Sequence, residues 1–163
     1  MDQEPRATYY VVGSNEWRTS EDWTPAEAKV SNLYLGSNGR ANSSHGDGVL
    51  KLETPPRRSP ADTYIYNPED PVADSGEREP ENMRKHELRC DILVYTSDVL
   101  ESDLTVAGEL SCELFAASTG VDTDWVVTLS DVDDLGNSIK LSNYIVRAKY
   151  RNGLDSPELP ILS

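Results

Sequence analysis

Cysteine is scarce in this sequence: Cys90 and Cys112 are the two in 163 residues, far too few for a disulfide-held scaffold. They form no C-x-x-C pair, which excludes the spacing of a zinc ribbon or a thioredoxin-like redox site. Both fall in apolar strand patterns, so reduced and partly buried thiols are expected. Histidine is equally thin. His45 and His86 have no Cys or His at ligand spacing, and His86, in a charged stretch, reads as a solvated side chain. No metal and no cofactor is expected. Basic residues are outnumbered, 15 against 29 acidic, for a net charge of -14. Such a surface repels phosphate backbones and anionic headgroups, so nucleic acid and membrane are excluded as natural partners. No apolar run approaches the roughly 18 residues of a transmembrane helix. Met1 to Arg6 is polar and lacks the basic-then-apolar pattern of a secretory signal, so a soluble chain is expected, with a cytoplasmic setting favoured over export.

What is present is alternation. Period-two apolar patterns recur with turn residues between them, the signature of an all-β sandwich or barrel. Ala7 to Ser14, Ser31 to Ser37, Gly48 to Glu53 and Asp62 to Tyr66 read as strands, rich in Tyr, Val, Leu and Ile. Cys90 to Thr96, Leu104 to Ser118, Trp125 to Val132 and Tyr144 to Arg151 follow, with a bend or bulge expected near Gly108. Pro55, Pro56 and Pro60 make a stiff connector. Asn67 to Glu87 is a long Pro- and acid-rich loop, with room for one helical turn over Pro80 to Leu88. At this length one domain is expected, spanning 1–163.

Several residues tempt a catalytic or metal assignment. Gly36-Ser37-Asn38-Gly39 has glycines at the wrong spacing for a nucleophile elbow, and no βαβ alternation surrounds it. Ser44, His45 and Asp47 supply triad residue types within four positions. A triad needs groups converging from separated segments, so Ser43 to Gly48 reads instead as a hairpin loop, with Gly46 and Gly48 supplying positive φ. Asp131 to Gly136 imitates the start of an EF-hand but has Leu135 at position five and Ser142 at position twelve, so a turn over Asp133 to Asn137 is the better reading. An isolated calcium site using Asp122, Asp124 or Asp131 stays open as an alternative. Trp125 alternates with Val127 and Leu129 and points inward, whereas Trp17 and Trp23 stand in a loop, where exposed on one flat surface they would make a sugar-stacking platform. Asn42-Ser43-Ser44 matches a glycosylation sequon, a pattern common by chance. No catalytic, cofactor-binding or metal residue is assigned.

Taken in order, the strand segments resemble the C-terminal non-catalytic domain of the X-Pro dipeptidyl-peptidase and cocaine esterase (CocE/NonD) hydrolase family. The resemblance starts at Tyr9-Tyr10-Val11-Val12-Gly13-Ser14-Asn15-Glu16-Trp17-Arg18 and passes through Leu33-Tyr34-Leu35 and Tyr64-Ile65-Tyr66-Asn67-Pro68. It continues in Asp91-Ile92-Leu93-Val94-Tyr95-Thr96-Ser97, Asp122-Thr123-Asp124-Trp125 and Arg147-Ala148-Lys149-Tyr150-Arg151. It covers about residues 7 to 152 and implies a jelly-roll β-sandwich of the galactose-binding-domain-like kind. The family's Ser-His-Asp site lies on a separate α/β-hydrolase domain, absent here, so the resemblance implies an accessory domain that packs on the catalytic domain, shapes its substrate pocket and supports oligomer contacts. A carbohydrate-binding module of jelly-roll shape is the alternative. Members often carry glycine where this chain has Tyr144, which implies a different geometry there. Members also continue with further strands beyond the Arg147 to Arg151 segment.

Three structural expectations follow. Leu93, Tyr95, Val106, Leu114, Val127, Leu129 and Val146 form a core shared by two sheets, so that Leu129→Ala costs about 2–5 kcal/mol. The last strands of the sandwich are missing, and the open edge recruits a second copy of the chain. Pro157 and Pro160 keep the 152–163 segment from serving as a regular central strand.

Overall fold

The computed structural model describes residues 6–72, 81–155 and 157–158. Among the described residues the chain is all-β apart from two short 3₁₀ turns, and the named strands pair as three separate antiparallel two-stranded sheets. β1 (Ala7–Val11) pairs with β2 (Glu16–Ser20), β3 (Tyr34–Gly36) with β4 (Val49–Lys51), and β5 (Asp124–Val132) with β6 (Ser138–Arg147).

The β5–β6 hairpin owes its shape to its turn. Asp133 accepts from the amides of Leu135 and Asn137 at 2.9 and 2.8 Å, and Gly136 takes a φ of 74° that a side chain would resist. This confirms the turn over Asp133 to Asn137. Trp125 and Val127 are half-buried between exposed neighbours, as alternation requires. A register irregularity between Leu129 and Ser130 then reverses the phase, so Ser130 turns inward and Leu129 is 37% exposed. Tyr144 lies within β6 opposite Val127, in extended backbone rather than a turn.

Several strand expectations are corrected. β2 carries no strand pattern in its sequence, since Glu16-Trp17-Arg18-Thr19-Ser20 has no apolar alternation; it exists as the partner of β1. Asp62 to Tyr66 and residues 104–117 lie in no ladder among the described residues, and Cys90 to Thr96 contributes the bridges Leu93 to Asn42 and Thr96 to Val49. Of the expected strand Tyr144 to Arg151, Tyr144 to Arg147 ends β6 as a strand, and the chain then turns into a 3₁₀ turn over Ala148–Tyr150. The helical turn in the acidic loop is present as a 3₁₀ turn over Met83–Leu88, capped by the Asn82 side chain on the Arg84 amide.

The loop Ser43 to Gly48 is held differently from expectation. The positive φ falls on Ser43, not on Gly46 or Gly48. Those glycines are needed for close backbone approach: a Cβ on Gly48 would sit 2.0 Å from the Val94 carbonyl oxygen, and one on Gly46 2.4 Å from that of Arg40.

The expected core is not assembled. Ala41 and Ala148 are the buried apolar residues among those described. Leu93, Tyr95, Val127 and Val146 are half-buried, while Val106, Leu114 and Leu129 are exposed. Val106 and Leu114 lack a facing layer because their segment has no ladder, and Leu129 is displaced by the bulge; its truncation is accordingly worth about 1 kcal/mol.

Candidate functional site

Asp62 gathers three donors from segments far apart in sequence. Its Oδ2 accepts from Ser37 Oγ at 2.6 Å and from the Tyr95 hydroxyl at 2.8 Å, and its Oδ1 accepts from the Ala41 amide at 2.8 Å. Burial pushes this carboxyl up, but the three donors together outweigh it and hold Asp62 below the usual carboxylate value. The Tyr95 hydroxyl is pushed up, first by burial and then by the carboxylate it serves. Ser37 Oγ also accepts from the Gly39 amide at 3.1 Å. Its proton is directed at a carboxylate of depressed pKa, a weak base, so this serine is oriented rather than activated.

Beside this hub, the Asn42 side-chain amide donates to the carbonyls of Thr63 and Cys90, each at 2.9 Å. The sequon asparagine is thus a tie between strand segments. It borders an open cleft of about 350 Å³, lined by Asn42, Thr63, Tyr64, Ile65, Cys90 and Asp91. Of these, Asp91 is gripped by Arg89, with Nε at 2.8 Å and Nη2 at 2.7 Å, and Arg89 also donates to the Asp70 carbonyl at 2.7 Å. The Arg89 guanidinium holds the Asp91 carboxyl below its ordinary range. The cleft therefore offers apolar walls and charges already paired.

A second polar cluster fastens the Met83–Leu88 turn to β6. Glu81, 5% exposed, pairs with Lys140 Nζ at 2.7 Å and lies 3.6 Å from His86 Nε2; buried Ser138 donates to Glu87 Oε1 at 2.6 Å. His86 is therefore half-buried against a carboxylate, not a solvated loop histidine as expected.

The remaining candidates disperse. The Ser44 amide donates to the Glu87 carbonyl, the His45 amide to Ser43 Oγ, and the Asp47 carboxylate lies 3.5 Å from Arg40 Nε. Among the described residues no hydrogen bond joins the Ser44, His45 and Asp47 side chains. Asp124 is taken by Arg147 through bonds of 2.8 and 2.9 Å, and Asp122 accepts from the Lys149 amide at 3.2 Å, so neither forms part of a carboxylate cluster. No group of three metal-ligating residues occurs among the described residues. Cys90 and Cys112 are free and exposed, which corrects their expected burial; Cys112 lies in the unladdered stretch and Cys90 on the cleft.

Trp17 and Trp23 are both exposed, as a sugar platform requires, but they do not share a face. Trp23 packs edge-on against Tyr9 at 5.6 Å, and Trp17 against Tyr10 at 5.3 Å. Tyr9 and Tyr10 are consecutive in β1 and point to opposite sides of the hairpin, so the two indoles do too.

Residues 1–161 match the X-Pro dipeptidyl-peptidase C-terminal non-catalytic domain. The chain is 37% identical over 163 residues to the cocaine esterase of Rhodococcus sp. (strain MB1 Bresler), covering 95% of this chain and 28% of that protein. It is 28% identical over 165 residues to a protein named "Putative serine esterase" in Mycobacterium bovis, covering 94% of this chain and 24% of the relative. A protein of the same name in Mycobacterium tuberculosis matches equally. The chain belongs to the family of X-Pro dipeptidyl-peptidase C-terminal non-catalytic domains. It spans about a quarter of the length of these relatives. Among the described residues no helix is long and apolar enough to cross a membrane.

Proposed function

We propose that residues 1–163 serve as a single non-catalytic accessory domain of a serine hydrolase acting on an ester or amide acyl compound. The domain takes no bond-breaking step; it packs on an α/β-hydrolase domain and walls part of the substrate pocket, and its complete form is a jelly-roll sandwich. The observation that carries this reading is the uncovered apolar surface of a chain belonging to a non-catalytic domain family. Val126 and Ile145, for example, form a cross-strand pair on β5–β6, 58% and 61% exposed, and such a pair gains by meeting another protein surface.

The test uses the polypeptide carrying both domains. Replacing Val126 and Ile145 together by Asp should lower kcat/KM for an ester substrate by about tenfold, the effect of a slightly misplaced pocket wall. The 163-residue chain alone should not turn over p-nitrophenyl acetate, before or after His45→Ala. If removing the whole domain changes neither kcat/KM nor the melting of the hydrolase domain, the reading is wrong.

A further inference from the structure

We infer that the turn over Pro56 to Ser59 is a docking point for an acidic peptide segment of a partner protein, gripped by the guanidinium groups of Arg57 and Arg58. This goes beyond the accessory-domain reading and does not depend on it. Pro55-Pro56-Arg57-Arg58-Ser59-Pro60 sets three prolines around two consecutive arginines. The Pro56 carbonyl accepts from the Ser59 amide at 3.1 Å and from Ser59 Oγ at 2.9 Å, so Arg57 and Arg58 occupy the two central positions of a closed turn. The prolines fix φ on both sides of it. Pro60 is also seated against Gly39, where an added Cβ would meet Pro60 Cβ at 3.2 Å. Both arginines stand exposed on this stiff support, and a surface ordered beforehand loses less entropy on binding.

The two side chains are also alone in being unengaged. Of the other described arginines, Arg6, Arg18, Arg40, Arg89, Arg147 and Arg151 face carboxylates, and Arg84 donates to the carbonyls of Leu135 and Gly136. Arg57 and Arg58 have no carboxylate partner among the described residues, in a chain with 29 acidic residues. The acids nearest in sequence do not serve them: Glu53 makes no ion pair among the described residues, and Asp62 gives its oxygens to Ser37, Ala41 and Tyr95. Two guanidinium forks side by side fit carboxylates bidentately, a geometry that lysine lacks. Net charge selects the kind of partner. At -14 the chain repels nucleic acid, anionic membranes and a second copy of itself, whereas a short segment with a few carboxylates meets chiefly the local field of the turn.

Fluorescence anisotropy of a dye-labelled hexaglutamate peptide tests this, with hexaglutamine as the neutral probe. The polypeptide carrying residues 1–163 is used at about 0.1 M ionic strength, where the Debye length is about 10 Å and distant charges are screened. Hexaglutamate should bind at least about tenfold more tightly than hexaglutamine, and Arg57→Gln with Arg58→Gln should abolish the difference. Arg57→Lys with Arg58→Lys keeps the charge but loses the fork, and should bind at least about threefold more weakly than the unmodified chain. Lys29→Gln with Lys85→Gln removes the same charge elsewhere and should change binding by less than about twofold. Equal binding of the two peptides would overturn the inference. An equal loss in the Lys29 and Lys85 control would reduce the effect to net charge, with the same consequence, and so would full affinity in the lysine pair. Tighter binding of a phosphoserine peptide of the same length, by more than about tenfold, would assign the turn to phosphate instead of carboxylate. Self-association by light scattering that vanishes with the glutamine pair would assign it to a second copy, and either result overturns the choice of partner.

Discussion

Removing the Asp62 carboxylate should loosen the one place where residues 37–41, 62 and 95 are tied together. Asp62→Ala leaves the Ser37 hydroxyl, the Ala41 amide and the Tyr95 hydroxyl without their shared acceptor. Hydrogen bonds to a charged group contribute about 1.5–3 kcal/mol each. Asp62 is half-buried, and the freed hydroxyls recover water, so the three together are worth about 2–4 kcal/mol rather than their sum. Exchange of the Ala41 amide reads the effect locally, because Ala41 is fully buried and its amide proton points at Asp62. At about 1.4 kcal/mol per tenfold, Asp62→Ala should speed that exchange by about 30- to 700-fold. Asp62→Asn, which keeps one acceptor oxygen, should fall near tenfold. The sign of the pH effect follows from the depressed carboxyl: the contribution is present above the unfolded value of about 3.9 and is lost as pH falls toward the folded one. Rates within threefold of the unmodified chain for Asp62→Ala would refute the reasoning.

Tyr95 works at the other end of the pH scale. Its hydroxyl is raised by burial and then by Asp62, so the protection it gives is present below the unfolded value of about 10 and declines as pH rises beyond it. In Tyr95→Phe the amides around residue 95 should lose that alkaline dependence; an unchanged profile would assign it elsewhere. Gly48→Ala forces a Cβ to 2.0 Å from the Val94 oxygen and 3.0 Å from Ala41 Cβ, so the bonds from Val94 to Ala41 and from Thr96 to Gly48 should open at a cost of about 1–3 kcal/mol, visible as faster exchange at Val94 and Thr96. Native labelling with a thiol reagent should modify both cysteines, Cys112 more slowly than a free thiol at the same pH because desolvation pushes it up; protection of both would contradict their exposure.

The fold was legible where a pattern finds its partner within the chain. Tyr9 and Tyr10, Leu35, Val49 and Leu50, and Trp125 to Val132 lie in ladders because each run has a second strand a turn or a loop away. The only strand signal of β2 is its neighbour: Glu16 to Ser20 alternate nothing, yet they pair antiparallel with Ala7 to Val11. β6 begins earlier than its apolar end suggests for a related reason. Ser138 to Asn143 is mixed in polarity, and the hairpin geometry set by Asp133 and Gly136 carries it into register where Tyr144 and Val146 alone mark the apolar end.

The polar sites were less legible, since none of them is local. Asp62 heads an apolar run and reads as the start of a strand, but its role depends on Ser37, 25 positions earlier, and Tyr95, 33 later. Glu81 and Lys140 lie 59 apart, and nothing in either neighbourhood announces a buried pair. The triad types in Ser44, His45 and Asp47 show the converse: proximity in sequence put three chemistries side by side, and the loop then spent their backbone amides and charge on Glu87, Ser43 and Arg40. Apolar alternation carries a similar ambiguity. It states that one face of Leu104 to Ser118 seeks cover without stating which chain provides it, so an expected core over Val106 and Leu114 and an exposed edge have the same sequence.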